Sequence, residues 1–220
     1  KIEVGAFASN PTLKEVNLRK LPIVPQTTSA IYAGYGAPFQ DAHPDLKIYV
    51  NTDQAALYTT DQVWKQHAGH YVETVNIGAT GYTSYYLENE NFEIPTGCTA
   101  YIITGITPSG SATTPDQAVV KAFGAGKIIP KQTGFVLQGT PNSTVEYKAA
   151  VTGTEESVTG NLLAGTAVER EFSSTGKRYY VLANGDEGIG FYKQGSRGGS
   201  SIKLKAHRAG LCLATSLAPA

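Results

Sequence analysis

The chain has 220 residues, with 18 basic and 18 acidic side chains, 24 glycines and 13 tyrosines. The balanced charge gives no net field for nucleic acid or an anionic membrane, so neither is predicted as a partner. No apolar run approaches the ~20 residues of a membrane-spanning helix, and the composition favours a β-rich, turn-rich protein long enough to bury a core.

The thiol content and the first residue bear on processing and metal binding. The sequence begins at Lys1 and contains no methionine, which predicts a processed product or an excised fragment. Cys98 and Cys212 each lie in an apolar, strand-like run, and two buried free thiols are favoured over a disulfide. No Cys-x-x-Cys spacing is present, so no metal and no other cofactor is predicted.

Residues 1–74 differ in pattern from the rest and are predicted to form a separate domain. The pattern Phe-x-x-Asn-x-x-Leu-x-x-Val-x-Leu runs from Phe7 to Leu18, and a second copy runs from Phe39 to Val50 after an insertion. Such a repeat is typical of a short strand plus a turn, in which each coil buries its apolar ladder against the next. Two short helices should follow, the first capped by Thr52 or Asp53 and the second carrying Trp64.

The same stretch carries a family resemblance. The run from residue 5 to residue 18, Gly-Ala-Phe-Ala-Ser-Asn-Pro-Thr-Leu-Lys-Glu-Val-Asn-Leu, resembles the terminal repeats of BspA-like leucine-rich-repeat proteins of bacterial surfaces. Leu-Lys-Ile-Tyr-Val, ending at Val50 and followed by Tyr58 and Trp64, resembles the segment that closes such solenoids. The resemblance implies terminal solenoid coils, an extracellular or cell-surface location, and a role in protein–protein interaction or adhesion.

Residues 75–220 alternate between short apolar runs and Gly- or Pro-containing breakers. Spacings near ten residues favour an antiparallel β-sandwich or barrel-like domain over a βαβ fold. The predicted class is therefore mainly β, or α+β overall, with a β-rich C-terminal module resembling those of bacterial surface proteins. The predicted strands are 80–87, 99–107, 117–123, 134–138, 144–151, 167–172, 179–183, 189–192, 201–206 and 211–214.

A β-hairpin is predicted in residues 179–193, where two apolar runs flank Asn-Gly-Asp. Asn and Gly tolerate the positive φ of a tight turn. Two glycines in the second run leave one strand face bare, which suits close approach by a backbone or an aromatic ring, while Ile189 and Phe191 should point into a core. A structural role is assigned to Asn184, Gly185, Gly188, Gly190 and Phe191.

The titratable residues form no catalytic constellation by spacing. His67 and His70 lie near a predicted helix end without a clear third metal ligand, so packing or capping is favoured. The acids of the two densest clusters are predicted to be solvated, because charged residues are mostly exposed. These acids are Glu88, Glu90, Glu93, Glu169 and Glu171. The chain is therefore predicted not to be an enzyme.

Tyr82 and Tyr86 are the candidate ligand-binding residues, in the run Gly-Tyr-Thr-Ser-Tyr-Tyr-Leu. On a regular strand they share one face, and Leu87 assigns the other face to the core, which directs both tyrosines to solvent. Stacking on a sugar is one hypothesis for them.

Three functional classes remain open from the sequence. The leading one is a non-enzymatic surface interaction or adhesion protein, with possible self-association through residues 1–20. A carbohydrate-binding module is the alternative, with a protein or a surface glycan as partner. The accessory domain of a glycan-acting enzyme is the third.

Overall fold

The computed structural model describes residues 2–21, 24–25, 36–111 and 113–218. The protein is mainly β, with 39% strand, 6% helix and several antiparallel sheets, so the predicted β-rich class is confirmed. It divides into two compact units. Unit 1 comprises residues 1–75, 89–92 and 146–152, and unit 2 comprises residues 76–88, 93–145 and 153–220. The predicted first domain, residues 1–74, is one continuous segment. It does not include residues 89–92 and 146–152, which also belong to unit 1.

Unit 1 is built on short parallel strands. Val16 of the first strand pairs with Ile48 of the second, which in turn pairs with Tyr71 of the third. The elements are β1 (Glu15–Asn17), β2 (Lys47–Tyr49), α1 (Ala55–Thr60), a 3-10 helix (Trp64–His67), β3 (Tyr71–Asn76) and β10 (Thr144–Lys148). Strands β3 and β10 each have residues in both units. The sheet order is β1-β2-β3-β10, so β1 lies at a sheet edge.

Trp64 is at the centre of the unit 1 core. Its side chain is fully buried, and its indole Nε1–H donates to the carbonyl of Pro25 at 2.8 Å. Tyr58 packs against it edge-on at 5.6 Å between ring centroids, and the Tyr71 hydroxyl donates to the Trp64 carbonyl at 2.6 Å. The side-chain polar atoms of Trp64 and Tyr71 are therefore satisfied while the three rings fill the core.

The start of α1 is capped differently from the prediction. Neither Thr52 nor Asp53 caps it, and no side chain caps the helix from its N-cap residue Gln54. Carboxylates distant in sequence, described below, accept the first helical N–H groups instead. Asp61 does act locally, because its Oδ1 accepts from the N–H of Trp64 at 3.0 Å. A capping rule based on neighbouring residues misses the acceptors at the start of α1, because these acceptors are distant in sequence.

The strands of unit 2 are β4 (Tyr82–Tyr85), β5 (Phe92–Glu93), β6 (Thr99–Thr107), β7 (Gln117–Phe123), β8 (Ile128–Ile129), β9 (Phe135–Gln138), β11 (Leu163–Thr166), β12 (Arg170–Ser173), β13 (Lys177–Gly185), β14 (Gly188–Tyr192), β15 (Ser201–Leu204) and β16 (Arg208–Ala214), with a 3-10 helix at Gly195–Arg197. They form two four-stranded antiparallel sheets, with the orders β4-β9-β6-β7 and β11-β16-β13-β14, and a two-stranded sheet β12-β15. Phe92 of β5 belongs to unit 1.

The two large sheets of unit 2 share a core. Ile103 and Val136 of the first sheet cluster with Tyr180, Leu211 and Leu213 of the second. Such packing of two inner faces gives unit 2 a sandwich-like character. The predicted strand 167–172 is wrong in its bounds, because β11 ends at Thr166 and β12 begins at Arg170.

The hairpin lies where it was predicted, but its turn is two residues further along. Asn184 pairs with Ile189 and Gly185 with Gly188, so Asp186 and Glu187 form the loop. Gly188 has a φ of +87°, which favours glycine at the loop end.

The side chains of the hairpin differ from the prediction in one respect. Phe191 packs against the shared core, whereas Ile189 is 40% exposed. The Tyr192 ring of β14 lies against Gly185 and Gly190, and its hydroxyl donates to the Gly188 carbonyl at 2.8 Å. A Cβ would lie 2.5 Å from this ring at Gly185 but 3.3 Å from it at Gly190.

Gly185→Ala is therefore expected to destabilise unit 2 more than Gly190→Ala. The Gly185 methyl must displace the Tyr192 ring from its hydrogen bond, while the Gly190 methyl needs a small shift. We expect a loss of about 1–3 kcal/mol for Gly185→Ala, and a similar loss for the larger substitution Gly190→Val. Thermal unfolding followed by circular dichroism measures these effects. Gly124→Ala is the control, because a Cβ at that position meets no atom within 4 Å. Equal melting midpoints for Gly185→Ala, Gly190→Ala and Gly124→Ala would contradict this packing.

Candidate binding cleft and a buried acid pair

A cleft of about 360 Å³ in unit 2 brings together residues from five strands and their flanking turns. Tyr82 comes from β4, Asn184 from β13, and Arg208 from β16. Lys203 of β15 and the adjacent Lys205 also line it. None of the lining residues is Asp, Glu, His or Cys. The volume is within the ~300–1,000 Å³ range of small-molecule sites, and its charged lining is entirely basic.

Arg208 is held by the strand opposite it. Its Nη1 donates to the hydroxyl of Thr83 and, at 3.0 Å, to the carbonyl of Ser84. The hydroxyl of Ser84 in turn accepts from the N–H of Ala209 at 3.3 Å. These two hydrogen bonds hold the Nη1 end of the guanidinium in place. They do not neutralise its charge, because both acceptors are uncharged.

The two lysines differ in their pairing. The Nζ of Lys203 lies 2.6 Å from Glu169, and this ammonium lowers the pKa of the exposed carboxyl through a hydrogen bond and its charge. No carboxylate among the described residues lies within 4.0 Å of Lys205. The side-chain amide of Gln194 is bonded to both the N–H and the carbonyl of Lys203, at 2.7 and 3.0 Å. The Gln194 hydrogen bonds hold the wall of the cleft at Lys203 in place. The positive charges of Arg208 and Lys205 have no carboxylate within ion-pair distance among the described residues.

The structure separates the two candidate tyrosines. Tyr82 is half-buried and lines the cleft. Tyr86 is only 7% exposed, and the prediction that it faces solvent is wrong. Strand β4 ends at Tyr85, so the alternation of faces does not continue to Tyr86. The Tyr86 ring occupies the space above Gly165, and its hydroxyl is bonded to Glu88.

The histidines of unit 1 have packing roles. The Nε2 of His67 accepts from the N–H of Phe39 at 3.3 Å, and burial lowers the pKa of His67 from 6.5 to about 4. His70 Nδ1 lies 2.9 Å from the carbonyl of Leu46, which makes this nitrogen the donor. Within the described ranges, no group of three or more His, Cys, Asp or Glu side chains is placed to hold a metal ion. Cys98 and Cys212 are both free thiols.

A pair of buried glutamates in unit 1 was missed by the sequence analysis. Glu73 of β3 is fully buried, and Glu90, which was predicted to be solvated, is 2% exposed. Burial raises the pKa of both carboxyls, and the charge of Glu90 raises that of Glu73 further. The folded pair therefore retains a proton that isolated carboxyls would lose.

The hydrogen-bond partners of the two glutamates are all donors. Glu73 Oε1 accepts from the N–H groups of Gln54 and Ala55, and its Oε2 accepts from the Asp53 N–H and, at 2.6 Å, from the Tyr147 hydroxyl. Glu90 accepts from the N–H groups of Ala56 and Ala150, at 3.0 and 2.7 Å. The pair thus ties α1 to β10 and to the segment around Glu90. With its lone pairs occupied and its side chains buried, it is a structural element of unit 1.

A weak signal for Glu73 exists in the sequence, whereas none exists for Glu90. Glu73 is the only charged residue of the strand Tyr-Val-Glu-Thr-Val-Asn, which is otherwise mostly apolar. Glu90 lies between two asparagines in a polar stretch, which resembles an exposed loop. Its burial depends on the return of residues 89–92 to unit 1.

The structure is that of a β-rich protein of two compact units, with a cleft of basic charged lining in the second unit. No family model, curated protein or solved structure matches the chain. The helices in the described part of the chain are all too short or too polar to span a bilayer.

Proposed function

We propose that this protein is a non-enzymatic interaction or adhesion protein of the cell surface. In this proposal unit 1 is the end of a leucine-rich-repeat solenoid, and unit 2 is the module that binds a surface partner. The single observation that carries the proposal is the basic cleft of unit 2, in which Arg208 and Lys205 lie near Tyr82 and Asn184 without an acidic lining residue.

The parallel ladder supports the solenoid part of the proposal. Val16 and Ile48 are paired in register, and the apolar ladder residues Leu18, Leu46, Ile48 and Val50 are buried. This is the arrangement expected when successive coils stack their apolar ladders. Phe7 is 45% exposed and stacks on Phe39 with ring centroids 5.4 Å apart. The cell-surface location is proposed on the family resemblance.

The chemistry of the cleft supports binding over catalysis. The lining of the cleft includes no carboxyl, imidazole or thiol, which are common general acids, bases and nucleophiles. It offers ammonium and guanidinium groups, hydroxyls and two side-chain amides, which bind and orient a ligand. The hydroxyl of Ser84 is occupied by the N–H of Ala209, without a neighbouring base to activate it.

Surface binding by the purified protein tests this function. Biolayer interferometry against surfaces coated with mucin, fetuin or fibronectin should show saturable binding to at least one of them. The double variant Lys205→Ala/Arg208→Ala should reduce that binding at least tenfold. The matched control is Lys14→Ala/Lys20→Ala, which removes two exposed charges of unit 1.

Two results would overturn the proposal. One is the absence of saturable binding on all three surfaces. The other is time-dependent release of products from a coated surface, detected by mass spectrometry and lost in the cleft variant, which would make the protein an enzyme. Binding lost only in the Lys14→Ala/Lys20→Ala control would contradict the role of the cleft.

A further inference from the structure

We propose that the cleft of unit 2 binds a saccharide that bears a carboxylate, such as a uronic or sialic acid residue. This inference rests on the proposed function, since it names the ligand class of the same cleft. It is argued from four features: an open guanidinium fork, residual positive charge, neutral polar groups without protein partners, and the size of the cleft.

Arg208 is the expected partner of the carboxylate. Its Nη1 is used by Thr83 and Ser84, while Nε and Nη2 have no acceptor among the described residues. A guanidinium presents its donors in a planar fork that matches the two oxygens of a carboxylate. The anchoring of one nitrogen by β4 orients this fork before any ligand arrives, which reduces the ordering needed on binding.

Residual charge near the fork favours one or two negative groups. Lys203 is paired with Glu169, which leaves Lys205 and Arg208 as the cations of the cleft without a carboxylate partner in the described chain. The chain as a whole has no net charge. A long polyanion such as nucleic acid would gain little beyond these two cations, because its affinity depends on many phosphate contacts. A ligand with a single carboxylate per unit matches this local charge.

The neutral groups of the cleft fit a sugar ring. The Tyr82 hydroxyl and the Asn184 amide have no hydrogen-bond partner among the described residues, and both line the cleft. An amide can donate to one sugar hydroxyl and accept from another. The apolar body of Tyr82, held against the core of unit 2, provides a surface for the C–H face of a pyranose. An acidic peptide would use the cations but has no comparable need for the tyrosine and the amide together.

Isothermal titration calorimetry with two acidic probes tests the inference. These are a hyaluronan tetrasaccharide, which contains glucuronic acid, and 3′-sialyllactose. We expect at least one of them to bind. Its carboxyl-reduced form should bind at least tenfold more weakly, because the contact with Arg208 is lost.

Substitutions locate the binding. Arg208→Lys keeps the charge but loses the fork, and should weaken binding at least tenfold. Lys205→Ala and Asn184→Ala change exposed side chains, so they test the cleft even if Arg208→Lys alters folding. Each should weaken binding severalfold. Lys177→Ala, an exposed substitution on β13 outside the cleft, should have no effect.

The inference is overturned if neither probe binds at millimolar concentration, or if the carboxyl-reduced sugar binds equally well. It is also overturned if an octapeptide of alternating Asp and Gly binds more tightly than both sugars, which would define a site for acidic peptides. In any of these cases the proposed function still stands if Lys205→Ala/Arg208→Ala abolishes binding to the coated surfaces. If the cleft binds neither the acidic sugars nor the coated surfaces, both the proposed function and the proposed ligand class are wrong.

Discussion

Replacing Glu73 by glutamine is expected to destabilise unit 1 by about 3–5 kcal/mol, whereas Glu90→Gln should destabilise it by about 1–2 kcal/mol. Each oxygen of Glu73 accepts two hydrogen bonds. An amide nitrogen in place of either oxygen faces two donors and leaves both unsatisfied. Each oxygen of Glu90 accepts only one hydrogen bond, from the N–H of Ala56 or of Ala150, so an amide nitrogen there leaves a single backbone N–H without its acceptor.

Denaturant unfolding followed by tryptophan fluorescence measures this difference. Trp64 is the single tryptophan of the chain and is buried in the core of unit 1, so its emission reports this unit. Glu187→Gln is the control, because Glu187 is exposed in the hairpin loop of unit 2. Equal destabilisation by Glu73→Gln and Glu90→Gln would contradict the unequal donor arrangement. A Glu73→Gln variant as stable as wild type would show that the carboxylate does not hold α1.

The free energy of unfolding of unit 1 should fall, relative to that of Glu90→Gln, as pH rises. Burial raises the pKa of the glutamate pair above the ordinary value of 4.5, so the folded chain keeps a proton that the unfolded chain releases. The stabilisation linked to this proton is fully present below the unfolded-state pKa and is lost as pH rises through the folded-state pKa. For one proton the slope is about 1.4 kcal/mol per pH unit.

His67 contributes the opposite slope in part of this range. Its pKa is lowered to about 4 by burial, so the folded chain keeps it neutral while the unfolded chain protonates it below its ordinary value of 6.5. Its contribution is present above pH 6.5 and is lost as pH falls through about 4. The two effects partly cancel below pH 6.5, which is why the comparison with Glu90→Gln is needed.

Urea unfolding of wild type and Glu90→Gln at closely spaced pH values, again followed by Trp64, makes this comparison. The Asp53 carboxylate, whose charge raises the pKa of Glu90, and the Tyr147 hydroxyl, which donates to Glu73, are present in the two proteins. The difference between the two unfolding free energies should therefore isolate the contribution of Glu90 to the retained proton. Curves that run parallel from pH 5 to pH 9 would show that Glu90 makes no such contribution.

The β-rich class could be predicted because it depends on local patterns. Short apolar runs bounded by Gly and Pro gave the positions of β6, β7 and β9, and the glycine pattern located the hairpin. The turn was misplaced because Asn184-Gly185 and the loop Asp186-Glu187 are both acceptable turn sequences. The choice between them depends on register, which the packing of Phe191 and Tyr192 sets.

The buried residues of the loops could not be predicted in the same way. Tyr86 is buried because Gly165, far away in sequence, leaves room for its ring. Glu90 is buried because its carboxyl accepts the N–H of Ala56 at the start of α1 and the N–H of Ala150. Both outcomes depend on residues that local patterns do not bring together. Strand alternation assigns Tyr86 to solvent, and average exposure assigns Glu90 there.

The cleft combines Tyr82, which was predicted as a ligand-binding residue, with residues whose sequence patterns do not indicate a binding site. Tyr82 was identified from its aromatic cluster, whereas Lys203 and Lys205 alternate with apolar residues and resemble any outward strand face. Only the pairing of β16 with β13 brings Arg208 and Asn184 to the same cleft. A binding site of this kind therefore becomes visible at the level of sheet topology.

The most direct test of the central claim is a titration of ¹⁵N-labelled protein with the hyaluronan tetrasaccharide and with 3′-sialyllactose, followed by NMR. We expect saturable shifts of the amides of Tyr82, Asn184 and Arg208 with at least one sugar, while the indole N–H of Trp64 in unit 1 stays unchanged. Shifts confined to unit 1, or no shifts with either sugar at millimolar concentration, would contradict the assignment of this cleft as the binding site for an acidic saccharide.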